Sequence, residues 1–508
     1  MEKLEDTESI CPECFRENDE VKKIDAQLIE EDGKVYITKE CEEHGSFKSR
    51  VFSDVDLYKK WKQYEVTGDG PEGVEALPFS DTTLYPEHHS QSVLTNIFVT
   101  NRCNLRCSYC FANAGADGYV YNPSLDELRD LMKQVREEEP VPSKAIQITG
   151  GEPTVREDLV EIVEMADELG FSHIQLNTNG IDLGESAEYC KKLREAGVNT
   201  VYMSFDGLTK ESNPWVEQQK QAVENCREAG MGVILVPVVI KNLNLDQLGD
   251  IIEYAKDNVD TVRGVNFQPV AFTGRITNLT EEDREEQRVD YVEAFKQIEE
   301  DLDGQITEDD WYPVPFVYPV SKLVESLKGD RQVEFTASPL CGGATYAFVE
   351  DDELLPITRF IDVEGFMDLI QRLSKEEGML KKAKIAGSLM KNSNKFIDKE
   401  KAPEGLSITN LLINALTRGD YDALGDFHYK TLYIGTMWFQ DAWNLNLDRL
   451  ERCVIHYTTP EGIVPFCTYN GLNIGPDIRE KHSMSFEEWE EKTGKTMEDD
   501  KWENGPLT

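Results

Sequence analysis

Residues 103–111 read CNLRCSYCF, with cysteines at 103, 107 and 110 and an aromatic, Tyr109, just before the third. Closely spaced thiolates hold iron–sulfur clusters or zinc. A closed metal site takes four ligands, and this stretch offers three. Three thiols on a [4Fe–4S] cube leave one iron open to a substrate or cofactor. Two knuckles lie nearer the start of the chain: Cys11 and Cys14 in CPEC, then Cys41 and His44 in CEEH. The intervening AQLIEEDGKVYITKE reads as a hairpin turning at Asp32-Gly33. Cys11, Cys14, Cys41 and His44 thus form a four-ligand set in a zinc-ribbon-like unit, with zinc, mononuclear iron and a cluster all open as occupants. The closed set points to a structural role.

Three further cysteines lie far apart: Cys341 in SPLCGGATYAF, Cys453 in ERCVIHYTTP and Cys467 in VPFCTYN. Each sits near turn residues, and together they are expected to hold an auxiliary iron–sulfur cluster, with His456 as a candidate fourth ligand. Cys190 and Cys226 fall on helical stretches, where burial is expected. These five and the six above account for all eleven cysteines. His88-His89 are expected in an exposed loop.

Strands and helices must position these groups. SVLTNIFVT (92–100) leads into the cysteines, and strands follow at 145–150, 173–180, 200–207, 232–240 and 262–270. Amphipathic stretches lie between them. The first of these opens on Ser124 with Glu127 three residues on, a capping box. The recurrence of about 30 residues is one βαβ unit, so the chain is expected to be α/β, with a parallel sheet curled into a partial (β/α)6 TIM-like barrel over 86–300. A metal-binding ribbon is expected over 1–85, and a mainly helical substrate and auxiliary-cluster domain over 301–508. In parallel sheets ligands bind at the carboxyl ends of the strands. There this sequence collects the cysteines, GGEP (150–153), NTNG (177–180) and SFDG (204–207).

Composition narrows the setting. The 508 residues carry 97 acidic and 53 basic side chains, a formal net charge of -44. That excess repels phosphate backbones and argues against a nucleic-acid partner. The basic stretch 381–395 is expected to be one solvated helix face. Acidity spread along the whole chain is expected of a halophile's cytoplasm. The opening MEKLEDTESI is charged, and the longest apolar run, MGVILVPVVI, is too short to span a bilayer. A cytoplasmic enzyme with no transmembrane segment, at most transiently at a membrane surface, is expected.

CNLRCSYC resembles the CxxxCxxC motif of the radical S-adenosylmethionine (SAM) enzymes, and GGEP resembles their glycine-rich SAM-binding stretch. The resemblance implies that Cys103, Cys107 and Cys110 hold a [4Fe–4S] cluster whose open iron takes the amino and carboxylate groups of SAM. An electron then breaks a carbon–sulfur bond, and the resulting 5′-deoxyadenosyl radical takes hydrogen from an unactivated carbon. It further implies that Gly150 and Gly151 let backbone N–H and C=O groups approach the methionine ammonium, with Glu152 and Pro153 stiffening the turn. Asn177, Ser204 and Asp206 would contact the ribose or methionyl part, and Tyr109, Val239 and Gln268 the adenine. No catalytic side chain is assigned beyond the cluster. An electron donor such as ferredoxin is implied.

Across CPEC…CEEHG, VTNRCNLRCSYCFANAGADGYVY, GGEPTVREDL, NTNGI, LCGGATYAF and RCVIHYTTPEGIVPFCTYN, the chain resembles the archaeal tetraether lipid synthase family. Members of that family are also described as 7,8-dihydro-6-hydroxymethylpterin methyltransferases. The family pattern GCPxxCGLCxxH before the first barrel strand is replaced here by ALPFSDTTLYPEHHS, which keeps histidine and has no cysteine. The expected activity is hydrogen abstraction leading to C–C bond formation or alkylation. An isoprenoid lipid chain is the first substrate and a pterin or related small molecule the second. A lipid would need a long apolar tunnel and a pterin a short polar pocket. An iron–sulfur electron carrier is the non-enzymatic alternative. Tyr457 and Tyr469 are candidates to quench a product radical, by proximity to Cys453 and Cys467.

Overall fold

The computed structural model describes residues 1–70, 78–79, 82–84, 88–115, 118–276, 279–392, 395–403 and 431–496. Residues 76–77, 80–81 and 85–87 of ALPFSDTTLYPEHHS, and the stretch 406–419 expected to be helical, lie outside them.

The ribbon is four antiparallel strands in sequence order: β1 (Glu2–Ile10), β2 (Lys23–Glu31), β3 (Lys34–Cys41) and β4 (Gly45–Phe52). β2 and β3 join at Asp32 and Gly33, both left-handed at φ 51° and 75°. Two positive φ angles make the hairpin turn whose twist matches its strands, and the Asp-Gly pair tolerates them.

The six expected barrel strands are β5 (Leu94–Phe98), β6 (Ala145–Thr149), β7 (His173–Thr178), β8 (Thr200–Ser204), β9 (Gly232–Val236) and β10 (Val262–Pro269), each parallel to its neighbour. Pro237, which lacks an N–H, ends β9, and pairing with β10 resumes at Val238–Val239. Helices of 10 to 14 residues cross between most of the strands. Leu125–Arg136 carries the Ser124–Glu127 capping box.

The rest of the chain adds four longer strands to this sheet, β11 (Gly342–Glu350), β12 (Thr431–Met437), β13 (Ile455–Thr459) and β14 (Gly462–Pro465), and two short ones, Tyr312–Pro313 and Glu353–Pro356, which pair with β11. The order is β11-β12-β10-β9-β8-β7-β6-β5-β13-β14. β12 and β13 are both parallel to the barrel strands, so eight neighbouring strands share one direction. Ile434–Met437, expected within a helical region, is therefore strand. Its TLYIGTM run is β-branched and mostly buried, fitting a strand covered on both faces. The described residues after 300 also form α-helices at Leu447–Glu451, Phe466–Gly471, Ile474–Lys481 and Phe486–Thr493, and three longer ones at Tyr318–Lys328, Val363–Ser374 and Lys381–Asn392. The last of these buries Ile385 and Leu389 and leaves its lysines outward, as expected.

One apolar core runs through ribbon and barrel. Phe52 meets Trp61 at 5.6 Å and Tyr291 at 5.8 Å, while Trp61 meets Phe295 at 6.0 Å. Such aromatic pairs add to the area they bury. No helix among the described residues is long and apolar enough to cross a membrane.

Candidate active site

The cysteine loop leaves the carboxyl end of β5. Cys103, Cys107 and Cys110 lie in one apolar cluster with Leu105, Ala114, Ile181 and Trp215, the last two from beyond β7 and β8. The Leu105 N–H donates to the Cys103 sulfur at 3.3 Å, and Cys110 N–H donates to the Cys107 carbonyl at 3.3 Å. Burial pushes the Cys103 thiol well up, assisted by the Glu152 charge. Three cysteines gathered in an apolar recess fit a three-cysteine iron–sulfur cluster.

GGEP is stitched to this loop. The Gly151 N–H donates to the Thr100 carbonyl at 2.7 Å and the Glu152 N–H to the Arg102 carbonyl at 2.9 Å. A Cβ on Gly150 would strike the Thr100 carbonyl oxygen, and one on Gly151 the Arg102 oxygen. The glycines thus serve first to let two backbones touch. The Gly151 and Glu152 N–H groups are therefore already used within the protein, which leaves the carbonyls of this stretch for a ligand. Carbonyls are in any case the groups an ammonium needs.

Glu152 turns inward. Its carboxylate accepts from Thr154 N–H (3.0 Å), Thr154 Oγ1 (2.8 Å), Thr178 Oγ1 (2.7 Å) and Asn179 N–H (2.7 Å). It therefore ties the ends of β6 and β7 together. Burial raises its pKa to about 7 despite these donors.

Asp206 is equally committed. It accepts from the Tyr109 hydroxyl at 2.7 Å and the Val238 N–H at 2.7 Å. Burial raises it to about 6, and the two donors lower it. The carboxylate expected at the ribose thus fastens the cluster loop to the ends of β8 and β9. Asn177 donates to Thr149 Oγ1 at 3.0 Å. Ser204 ends β8, half-buried, and Val239 is buried beside the end of β10. Tyr109 and Gln268 share a cavity of about 30 Å³ with Phe111, Phe439, Gln440 and Asn470.

Sequence reasoning missed Arg275. Its backbone N–H donates to the Cys110 carbonyl at 3.1 Å. Its guanidinium donates to the carbonyls of Cys107 (2.8 Å) and Ala114 and to Asn113 Oδ1 (3.3 Å). Lying just beyond β10, it holds the cluster loop from the far side of the barrel. No local motif marks it.

Cys467 opens on the same cavity, its sulfur accepting the Gln440 N–H at 3.4 Å. Cys341, Cys453 and Cys467 sit within electrostatic reach of one another. Burial raises Cys453 and Cys467, the latter to about 11, and the buried Arg449 cation opposes the rise at Cys467. Their ligand atoms do not converge as the ribbon's do. His456 turns away from them, its Nδ1 2.9 Å from Ser92 Oγ and its Nε2 2.8 Å from His88 Nε2. His88 is half-buried and also lies 2.9 Å from the Cys453 carbonyl. The two expectations, a fourth ligand at His456 and an open loop at His88, give way to a histidine pair packed beneath the β13 edge. Tyr457 and Tyr469 are buried and stack at 3.9 Å, while Cys190 and Cys226 are buried as expected.

The ribbon knuckles converge. His44 Nδ1 lies 3.6, 3.4 and 3.8 Å from the sulfurs of Cys11, Cys14 and Cys41, and the sulfurs of Cys14 and Cys41 are 4.0 Å apart. Tetrahedral zinc with 2.3 Å bonds puts sulfurs roughly 3.8 Å apart, so the set fits such an ion. His44 Nε2 faces Glu17 at 3.6 Å, the outer carboxylate that orients a ligating imidazole. Burial opposes it, but the N–H groups of Glu43 and His44 and the His44 ring hold the Cys41 thiol down at about 6.

The ribbon also grips the segment that crosses from β12 to β13. Lys39 Nζ, fully buried, donates to the Ala442 carbonyl at 2.7 Å, Ser9 Oγ to the Leu445 carbonyl at 2.6 Å, and Thr7 Oγ1 to Asn446 at 2.8 Å.

Comparison with known proteins accords with this geometry. Residues 97–255 match the radical SAM superfamily, and residues 3–53 match the HMPTM N-terminal zinc ribbon domain. The chain is 43% identical over 512 residues, 97% of its length and 99% of the relative's, to the 7,8-dihydro-6-hydroxymethylpterin dimethyltransferase of Methanocaldococcus jannaschii. It is 29% identical to the GTP 3′,8-cyclase of Clostridium perfringens over 191 residues, 36% of this chain and 58% of that one. Among solved structures, coproporphyrinogen III oxidase of Escherichia coli, a radical SAM enzyme, aligns with a TM-score of 0.32 at 14% identity, over 49% of this chain and 61% of that one. The protein is a radical SAM enzyme, with a [4Fe–4S] cluster, SAM and a second metal site in its ribbon, and it belongs to the family of the Methanocaldococcus pterin dimethyltransferase.

Proposed function

We propose that this enzyme alkylates a reduced pterin or a closely related heteroaromatic, beginning with hydrogen abstraction from an unactivated carbon. The observation that carries the reading is the character of the cavity beside Tyr109. Beyond Tyr109 and Gln268, two carboxamides (Gln440 and Asn470) and Thr273 line it, together with the rings of Phe111, Phe439 and Phe466. Carboxamides and aromatic rings together suit a flat, hydrogen-bonding ring better than an isoprenoid chain. The relative matched along its whole length is named for a pterin, which favours this substrate over the lipid first expected.

When bound, the cluster and SAM supply the reducing electron and the hydrogen-abstracting group. This chain's own residues hold and aim. Cys103, Cys107 and Cys110 would ligate the cluster, and the carbonyls of Gly150 and Gly151 would accept from the methionine ammonium. Asn177 and Ser204 would meet the ribose or methionyl part, and Tyr109, Val239 and Gln268 the adenine. Glu152 and Asp206 act through the elements they join. Cys341, Cys453 and Cys467, around Arg449, would hold an auxiliary cluster, reduced with the first by a ferredoxin-type donor.

The test supplies the reconstituted enzyme and SAM with either ring-deuterated dihydro-hydroxymethylpterin or a perdeuterated isoprenoid lipid. Deuterium in 5′-deoxyadenosine from the pterin, with a mass gain in the pterin, is expected. Transfer from the lipid alone would overturn the reading.

A further inference from the structure

Between ribbon and barrel lies a cleft of about 470 Å³. The ribbon lines it with Arg16 and with Ser46–Ser49. The barrel lines it with the helix Glu281–Gln287 and the following Arg288, and Trp443 of the crossing segment lies at its base. Arg284 and Arg288 sit one helical turn apart, and both are buried. Arg284 lies over the Trp443 ring, 3.4 Å from its centroid, and donates to the Leu279 carbonyl at 2.7 Å. Arg288 donates through Nη2 to Asp441 at 3.1 Å. Its Nη1 is buried and has no acceptor among the described residues. Asp441 already accepts from the N–H groups of Phe272, Trp443 and Asn444. Two buried guanidiniums therefore face one well-used carboxylate. Burial and the Arg288 charge push Arg284 down, against the opposing charges of Asp441, Glu281 and Glu13.

In a chain of net charge -44, a buried guanidinium with one amino group lacking an acceptor among the described residues is out of keeping with the surface around it. Acidic groups do line the cleft, but towards solvent: Glu281 and Glu285 are exposed, and Glu13 is held by Arg16 at 2.6 Å. Lys48 adds a cation on the ribbon wall, paired with Glu31. Trp443 packs in one apolar cluster with Phe272, Val270 and Tyr109, so the cleft shares a wall with the SAM end of the barrel.

We infer that this cleft binds a phosphoryl group, whose oxygens the forked guanidiniums of Arg284 and Arg288 receive. The group comes either as free phosphate or as a phosphate ester on the substrate. The second source rests on the pterin reading; the first does not.

The test is calorimetric titration of the full-length, metal-reconstituted protein with inorganic phosphate, with the phosphate monoester of hydroxymethylpterin, and with the unphosphorylated pterin. Phosphate is expected to bind, and Arg284→Gln to weaken it at least about tenfold, a bidentate contact being worth that much. Lys48→Gln, on the exposed wall, is expected to weaken it severalfold and keeps the question answerable should Arg284→Gln misfold. No phosphate binding to the wild type, or affinity unchanged in both variants, overturns the site. An ester that binds tighter than phosphate and pterin alike assigns the group to the substrate. Equal affinity for ester and phosphate upholds the site with the free anion as its ligand, and phosphate binding with no binding of the unphosphorylated pterin counts against the pterin reading alone.

Discussion

The ribbon knuckle and the cluster loop are both cysteine sites, built in opposite ways. In the ribbon, four donors from two hairpin-linked knuckles converge within 4.8 Å and depend on little beyond their own strands. In the loop, three thiols follow one another in sequence, and their placement comes from elsewhere: Gly151 and Glu152 from β6, Asp206 from beyond β8, Arg275 from beyond β10. A closed site can be local because it only has to hold a metal. A site with an open corner must be aimed, and several strand ends share the aiming.

This contrast can be broken by experiment. Cys107→Ala should reduce SAM cleavage to background and remove cluster iron while leaving ribbon metal in place, as measured by metal analysis. Cys14→Ser should do the reverse, costing several kcal/mol of folding stability and the ribbon metal while the loop still takes up iron. Loss of both metals in either variant would erase the distinction.

pH separates the two regions with opposite signs. Burial raises Glu152 from 4.5 to about 7, so its contribution is fully present below pH 4.5 and lost as pH rises through 7, up to roughly 3 kcal/mol. Cys41 is lowered from 9 to about 6, so in metal-free protein its contribution is present above pH 9 and lost as pH falls through 6. Melting curves from pH 4.5 to 9 should show the stability gap between wild type and Glu152→Gln shifting on the acid side. The gap to Cys41→Ser should shift on the alkaline side, in the opposite direction. Parallel trends would contradict the assignment. The smallest effect should come from Arg275→Ala, which leaves the thiols intact and slows SAM cleavage about 10–100-fold through a misplaced loop, as loss of an outer-shell partner does. A rate equal to wild type would remove Arg275 from the aiming.

What was legible in the sequence was local. The Asp32-Gly33 turn, the Ser124 cap, the six β-branched runs and the ribbon's cysteine and histidine knuckles are each marked within a few residues of the chain, and the structure bears them out. What was not legible depends on contacts across hundreds of positions. TLYIGTM carries apolar and aromatic residues that suit a helix as well as a strand, until pairing with β10 decides for the strand. The polar ends of β6 and β8 did mark the mouth of the barrel. Yet Asp206 looks like a ligand contact in one dimension and in three fastens the cluster loop, while Glu152, expected to stiffen its own turn, also ties that turn to the end of β7. Arg275 and the pairing of His88 with His456 follow from no spacing at all.

β12 and β13 follow one another in the chain yet lie on opposite flanks of the parallel sheet, so residues 438–454 must bridge from one flank to the other. The bridge carries Phe439 and Gln440 past the cavity and is pinned to the ribbon through Ala442, Leu445 and Asn446. A single proteolytic nick there would cut no strand. It would unbuckle the belt around the barrel and let ribbon and both flanks drift apart at the place where the chemistry is done.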